Sequence, residues 1–103
     1  MSERVARATL LIRNGGFEGM RYEIAEEETL IGRNPTTDIT LLDDSISREH
    51  ALILFDPATG TYTVEDLQST NGIKLNGKRI RGHELEHGDE LQIGNTLFEF
   101  LID

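Results

Sequence analysis

Apolar residues fall along this chain in short runs, each closed by turn-forming residues, and none keeps a helical period long enough to predict a helix. Tyr62 and Val64, and later Phe98, Phe100 and Ile102, recur with the period of two that marks a half-buried strand. The pattern predicts strands near residues 7–13, 20–24, 29–33, 39–42, 50–55, 61–65, 73–75, 90–93 and 96–102. Between them stand Asn14-Gly15-Gly16, Asn34-Pro35, Asp56-Pro57 with Gly60, Asn71-Gly72, Asn76-Gly77 and Gly94-Asn95. Each of these is a turn signal with a mechanism: a fixed proline φ, a glycine free to take positive φ, or a side-chain amide that bonds its own backbone. Gly94-Asn95, placed between two apolar strands, predicts a two-residue hairpin. Many short strands at close spacing imply an all-β sandwich or barrel. With no internal repeat, linker or low-complexity segment, residues 1–103 read as one domain.

Composition narrows the function. The chain has no cysteine, so neither a disulfide framework nor a zinc ribbon is available to it. Its longest apolar runs, 51–55 and 10–12, are far too short to span a bilayer. Its first residues lack the apolar stretch of a secretory signal, so the expectation is a cytoplasmic protein without membrane insertion. A net charge of −9 argues against nucleic acid as a partner, because such domains carry a basic footprint. The charge is uneven, however. Between Leu67 and Gly82 there is no acid, while Lys74, Lys78, Arg79 and Arg81 are all basic; the acids gather at 26–28, 43–44 and 84–90. A basic region on an acidic body can steer an anion, although any one of these side chains alone reads as an ordinary solvated loop residue.

Four short motifs concentrate the chemistry: Gly32-Arg33, then Ser45-Ile46-Ser47-Arg48-Glu49-His50, then Asp66-Leu67-Gln68-Ser69-Thr70-Asn71-Gly72, then Asn76-Gly77. Each sets small polar donors and glycines beside or near arginine at a predicted strand end. Arginine forks match phosphate oxygens, hydroxyl and amide donors complete a cradle, and glycine lets backbone approach closely. In this order the motifs resemble the forkhead-associated (FHA) domain family, whose members bind phosphothreonine peptides. The resemblance covers roughly residues 6–102, with Asp38-Ile39-Thr40-Leu41 and the 87–94 segment also similar to the family's pattern. It implies a sandwich of two twisted antiparallel sheets, about eleven short strands, with the ligand loops at one end.

The resemblance also implies roles. Ser47 becomes a direct phosphate ligand and Arg48 a second charged contact. Arg33 binds the peptide backbone beside the phosphothreonine, Thr70 contacts the phosphate, and Asn71 holds the peptide main chain. Gly32, His50, Gly72 and Asn76 support the site, His50 as a buried residue bonding neighbouring loops and Asn76 as a second asparagine steadying the 66–72 loop. Ile73 stands where members commonly carry Thr or Val, a conservative change for a strand. The implied partner is a threonine-phosphorylated protein or peptide, hence a Ser/Thr kinase elsewhere in the cell, with phosphorylation-dependent interaction in signalling as the function. Flanking residues would be read by loops such as 34–37 and 78–82, and the basic character of 78–82 favours acidic or polar neighbours. No cofactor is implied, and the isolated domain is expected to be monomeric. Members of the family are often fused to other domains, so a piece of a longer protein is an open expectation.

Other classes can be weighed on the same residues. Ser47 and His50 tempt one towards nucleophilic catalysis, but a triad needs a base within reach, an orienting acid and an oxyanion hole, and the motif supplies none. No Gly-rich loop leads into lysine, so no enzyme is expected. His83 and His87, four apart among acids, would align as metal ligands only on a helix, and Gly88-Asp89 reads as a turn, so no metal site is assigned. The alternative that stays open is a phosphate-independent scaffold or self-association module on the same fold, recognisable by a hydrophobic or acidic patch elsewhere.

Overall fold

The computed structural model describes residues 8–103, so the first residues of the predicted 7–13 strand and of the 6–102 core lie partly outside them. The described strands are β1 (Ala8–Ile12), β2 (Arg21–Ile24), β3 (Glu28–Gly32), β4 (Ile39–Thr40), β5 (Ala51–Asp56), β6 (Thr61–Asp66), β7 (Ile73–Leu75), β8 (Lys78–Ile80), β9 (Gly82–Leu85), β10 (Glu90–Ile93) and β11 (Thr96–Ile102). A single 3₁₀ turn, Gly15–Phe17, joins β1 to β2. The strands form a six-stranded sheet in the order β2-β1-β11-β10-β7-β8 and a five-stranded sheet in the order β4-β3-β5-β6-β9.

Alternation along the strands builds the space between the sheets. Ala8, Leu10 and Ile12 on β1 and Phe98 and Phe100 on β11 point inward from one sheet; Ile31, Ala51, Ile53, Tyr62 and Val64 do so from the other. The Tyr62 ring meets Phe100 edge-on at 5.3 Å, and Tyr22 meets Phe98 edge-on at 6.5 Å. Each fully buried phenylalanine contributes about 1.5–3 kcal/mol by area removed from water. Truncating Phe98 to alanine would cost about 3–5 kcal/mol, because the cavity adds to the lost transfer energy.

Two strands escaped the pattern of apolar positions. Each offers one inward residue, Ile80 on β8 and Leu85 on β9, among exposed polar neighbours. Both lie at sheet edges, where charged and polar side chains discourage pairing with another chain. The 39–42 strand is shorter than its composition predicts, since Leu42 is exposed and leaves the sheet. One pairing is parallel, Ile31 with Ile39 and Gly32 with Thr40. The tight return that permits it is held by the buried Thr37, whose Oγ1 bonds the carbonyl oxygens of Asn34 at 2.7 Å and Ile39 at 3.1 Å.

The hairpins follow their turn chemistry. Asn76 and Gly77 both take positive φ, +50° and +86°, as a two-residue type I′ turn requires. Gly94, at φ +58°, opens the β10–β11 turn between the paired Ile93 and Thr96.

Candidate functional site

Strand register sets which loops meet. β3 ends at Gly32, β5 starts at Ala51, β6 ends at Asp66 and β7 starts at Ile73, all at one end of the sandwich. The β3–β4, β4–β5 and β6–β7 loops therefore converge there, and they carry Arg33, Ser47, Arg48, Thr70 and Asn71. The acid-rich 26–28 and 86–90 turns fall at the opposite end, beside Leu54 and Phe100.

His50 joins the two loops that hold the hydroxyls. It is fully buried; the Ser47 backbone N–H donates to its Nδ1 at 3.0 Å, and its Nε2 lies 2.8 Å from the Gly72 carbonyl oxygen. A backbone N–H can only donate and a carbonyl can only accept, so Nδ1 is bare and Nε2 carries the proton. His50 is thus a clamp. It does not act as base to Ser47, whose Oγ instead accepts the Thr70 backbone N–H at 3.0 Å. That bond ties the β4–β5 loop to the β6–β7 loop a second time and leaves the serine proton free to donate outward.

Asn71 makes a third tie, donating through Nδ2 to the Ser45 carbonyl oxygen at 2.9 Å. Its amide oxygen, and the Thr70 hydroxyl, have no partner among the described residues. Arg33 is placed by its backbone, whose N–H donates to the Ser47 carbonyl oxygen at 3.0 Å, and by its Nε, which donates to the Ile46 carbonyl oxygen at 2.9 Å. It does not pair with Asp38, which instead accepts the Leu30 backbone N–H at 2.8 Å. The terminal nitrogens of Arg33 and the whole Arg48 guanidinium are unpartnered among the described residues. Both side chains are exposed.

Gly32 is needed for the close approach of β3 to the serine loop. A β-carbon there would fall 2.0 Å from the Arg48 carbonyl oxygen, a contact no side chain survives without separating the backbones. Gly72 adopts φ +75°, the region glycine enters without strain. Asn76 stands apart from the other supporting residues. Its side chain donates to Asp89 at 3.0 Å and accepts the Glu90 N–H at 2.9 Å, so it fastens the β7–β8 turn to β10 rather than bonding the 66–72 loop.

Several supports were not singled out from the sequence. Asp43 Oδ1 accepts both the backbone N–H and the hydroxyl of Ser45 at 2.7 Å, and these two bonds hold its carboxyl below the ordinary value of 3.8 against the opposing cost of desolvation. The Ser45 Oγ also accepts the Asn95 N–H at 2.9 Å, docking the β10–β11 turn on the site. In the other loop Asp66 Oδ1 accepts the Ser69 hydroxyl at 2.5 Å, and Ser69 Oγ accepts the Gly72 N–H at 2.9 Å. Asp followed two or three residues later by Ser is the signature of such a local turn, so this scaffolding was readable in principle. His83, on β9, has its Nδ1 2.7 Å from its neighbour's carbonyl oxygen, and His87 Nδ1 accepts the Ile102 N–H at 2.9 Å. No helix among the described residues is long and apolar enough to cross a membrane.

The family model described as FHA domain matches residues 29–94. A protein of Corynebacterium jeikeium called oxoglutarate dehydrogenase inhibitor is 37% identical over 94 residues, covering 91% of this chain and 64% of the relative. The chain therefore spans less than two thirds of that relative. Among solved structures, EmbR of Mycobacterium tuberculosis in complex with a low-affinity phosphopeptide superposes with a TM-score of 0.85 at 32% identity, over 95% of this chain and 25% of EmbR. An FHA domain solved for the analysis of phosphothreonine-dependent interactions also gives 0.85, at 28% identity over 94% of this chain and 97% of its own.

Proposed function

We propose that this chain, which belongs to the FHA domain family, is a binding module that holds phosphothreonine segments of partner proteins at the end of the sandwich carrying Ser47. One observation carries the reading: the His50 and Thr70 bonds fix Ser47 between two loops, while hydroxyl protons, the terminal nitrogens of Arg33 and the Arg48 guanidinium stay without a partner among the described residues. Such a set suits a phosphate, which brings a charge near −1.5 to −2 and three acceptor oxygens. Ser47 and Thr70 donate hydroxyls to the phosphate, Arg33 and Arg48 supply charge, and Asn71 offers its free amide oxygen to the peptide main chain. The phosphopeptide complex of the EmbR relative supports a phosphopeptide as the class of ligand.

The role that follows is phosphorylation-dependent recognition in signalling, in the cytoplasm where a Ser/Thr kinase would mark the partner. The longer relative named as an inhibitor of a dehydrogenase supports a regulatory partner for this module as well. The test is titration of a degenerate phosphothreonine peptide library and its unphosphorylated counterpart against wild type and Ser47→Ala. Each charge-assisted hydrogen bond contributes about 1.5–3 kcal/mol, so losing the phosphate or Ser47 is expected to weaken binding at least about tenfold. Binding indifferent to both would overturn the reading.

A second reading has its own observation. Phe17, Met20 and Leu42 are 72%, 46% and 84% exposed and line one groove of about 430 Å³ beside the serine loop. That is the apolar patch a phosphate-independent scaffold would display. Phe17→Ser with Leu42→Ser separates the two: it would abolish partner capture in the scaffold and leave phosphopeptide affinity intact in the reader.

A further inference from the structure

Residues 51–55 form the longest apolar run in the chain, the pattern of a strand covered on both faces. β5 is the central strand of the five-stranded sheet, yet only its Ala51 and Ile53 side enters the core. Leu52 and Leu54 alternate to the other side, where Leu30 of β3 stands directly opposite Leu52. All three are half-buried, and none is among the residues packed against the core. The described residues hold no α-helix and no third sheet to cover them. Register draws two rows across this face: Leu30, Leu52 and Glu65 in one, Glu28, Leu54, Thr63 and Glu84 in the next. The carboxylates of Glu28, Glu65 and Glu84 are exposed and have no partner among the described residues. No lysine or arginine stands in any strand of this sheet, so no basic stem of its own lies over the leucines. The six-stranded sheet differs. There the outward Leu11, Leu97 and Leu101 surround Glu99, which Arg13 pairs at 2.6 Å.

We propose that the outer face of the five-stranded sheet is a docking surface, separate from the Ser47 end, for a basic amphipathic helix of a partner protein. The helix lays its apolar side on Leu30, Leu52 and Leu54 and its lysines or arginines on Glu28, Glu65 and Glu84. Charge selects the occupant. A face with acids and no base repels a phosphorylated segment, a nucleic acid and an anionic bilayer alike, and complements a cation. Backbone selects the form. The N–H and C=O groups of the central strands are engaged in their own ladders, so the face offers side chains alone, and a helix arrives with its own backbone bonds made. Size agrees. From β3 to β9 the sheet crosses three strand spacings, about 14 Å, which about ten helical residues cover at about 1.5 Å each. The two rows lie about 7 Å apart, within the width of about 10–12 Å of one helix. Because the two surfaces prefer opposite charges, one chain can hold a phosphorylated segment and a basic helix at once.

The experiment titrates isotope-labelled protein with a leucine/lysine amphipathic peptide of about 18 residues, about five helical turns, and follows the backbone amide shifts. The same peptide with glutamate for lysine is the counterpart. The lysine probe is expected to shift Leu30, Leu52, Leu54 and Thr63, and the glutamate probe to shift none of them. Glu28→Gln/Glu65→Gln/Glu84→Gln is expected to weaken the lysine probe about five- to tenfold, since each exposed ion pair contributes modestly. Glu18→Gln/Glu90→Gln/Glu99→Gln removes as much charge from the side of the six-stranded sheet and is expected to change affinity less than about twofold, the difference screening leaves. Leu52→Thr/Leu54→Thr keeps strand propensity and is expected to weaken the probe at least about tenfold through lost apolar burial, its amide dispersion verifying the fold. Ser47→Ala is expected to bind the probe as wild type does, which keeps this result apart from the phosphopeptide reading. Equal losses in the two charge variants, shifts that map elsewhere, or no binding of the lysine probe overturn the surface. Line broadening that grows with protein concentration in the absence of probe, and that Leu52→Thr/Leu54→Thr abolishes, overturns the helix and assigns the face to a second copy of the chain.

Discussion

Replacing His50 by leucine isolates what the clamp does, because leucine keeps an apolar body in a site with no solvent exposure but can neither accept nor donate. Two groups lose their partners: the Ser47 N–H, bonded at 3.0 Å, and the Gly72 carbonyl, bonded at 2.8 Å. A polar group orphaned out of water costs about 1–3 kcal/mol. Ser47 is half-exposed, so water can reach its N–H and the low end applies; Gly72 is buried, and the upper end applies there. The expected loss is about 2–4 kcal/mol, a large share of the roughly 5–15 kcal/mol that stabilises a domain of this size. At about 4–8 °C per kcal/mol, Tm falls by roughly 10–30 °C. Urea denaturation at constant m-value measures the loss, and peptide titration on the folded fraction measures its functional side. Affinity is expected to fall at least about tenfold although the ring cannot touch a ligand, because Ser47 and Thr70 lose their shared register. A His50→Leu protein within about 0.5 kcal/mol of wild type would refute the argument that these two bonds hold the loops.

Gly32→Ala places a β-carbon 2.0 Å from the Arg48 carbonyl oxygen; it is expected to cost about 1–3 kcal/mol or more by overpacking and to weaken phosphopeptide binding, and equal denaturation midpoints would count against it. Phosphothreonine should bind better than phosphoserine in matched peptides, by about fourfold if burial of one methyl carbon, worth about 0.8 kcal/mol, is the whole effect; equal affinities would remove the methyl pocket. Asp43 has a depressed folded value, so its contribution is present above the unfolded value of about 3.9 and is lost as pH falls through the lower folded one. Hydrogen exchange at Ser45 and Ile46 should therefore quicken below about pH 4 in wild type beyond the intrinsic trend and be already fast in Asp43→Ala; an identical acid response in the two proteins would contradict the assignment.

How far the sequence could be read depends on where the information sits. Strands with two or more inward residues, such as β5 with Ala51 and Ile53 or β11 with Phe98 and Phe100, announce themselves by period. β8 and β9 do not, because an edge strand needs only one buried side chain, and its identity is set by backbone pairing that leaves no apolar trace. Loop chemistry was legible where residue type dictates conformation, as at Asn76-Gly77 and Gly94-Asn95. Contacts between loops were not, since the Ser45 hydroxyl meeting Asn95 spans 50 residues of chain. Asn76 shows the limit of motif transfer: an asparagine at a familiar spacing spends its amide on Asp89 and Glu90.

Charge placement and hydrogen bonding together explain why an acidic chain can present an anion site. Three of the acids near the loop end are occupied, Asp38 by the Leu30 N–H, Asp43 by Ser45 and Asp66 by Ser69, while the Asp44 and Glu49 carboxylates take no donor among the described residues. Each of those bonds stiffens a turn and spreads a negative charge over donors of the protein itself. The cations at the same end are treated oppositely. Among the described residues the one ion pair joins Arg13 to Glu99 at 2.6 Å, and Arg33, Arg48, Arg79 and Arg81 take no carboxylate. Exposed ion pairs contribute only about 0–1 kcal/mol, so leaving these arginines open costs the fold little. The 26–28 and 86–90 acids sit at the other end, where they repel a polyanion from the wrong approach without screening the right one. Net charge therefore misleads as a guide to this protein's partners. The guide is which charged groups the fold bonds to itself and which it leaves open, and only the folded chain displays that.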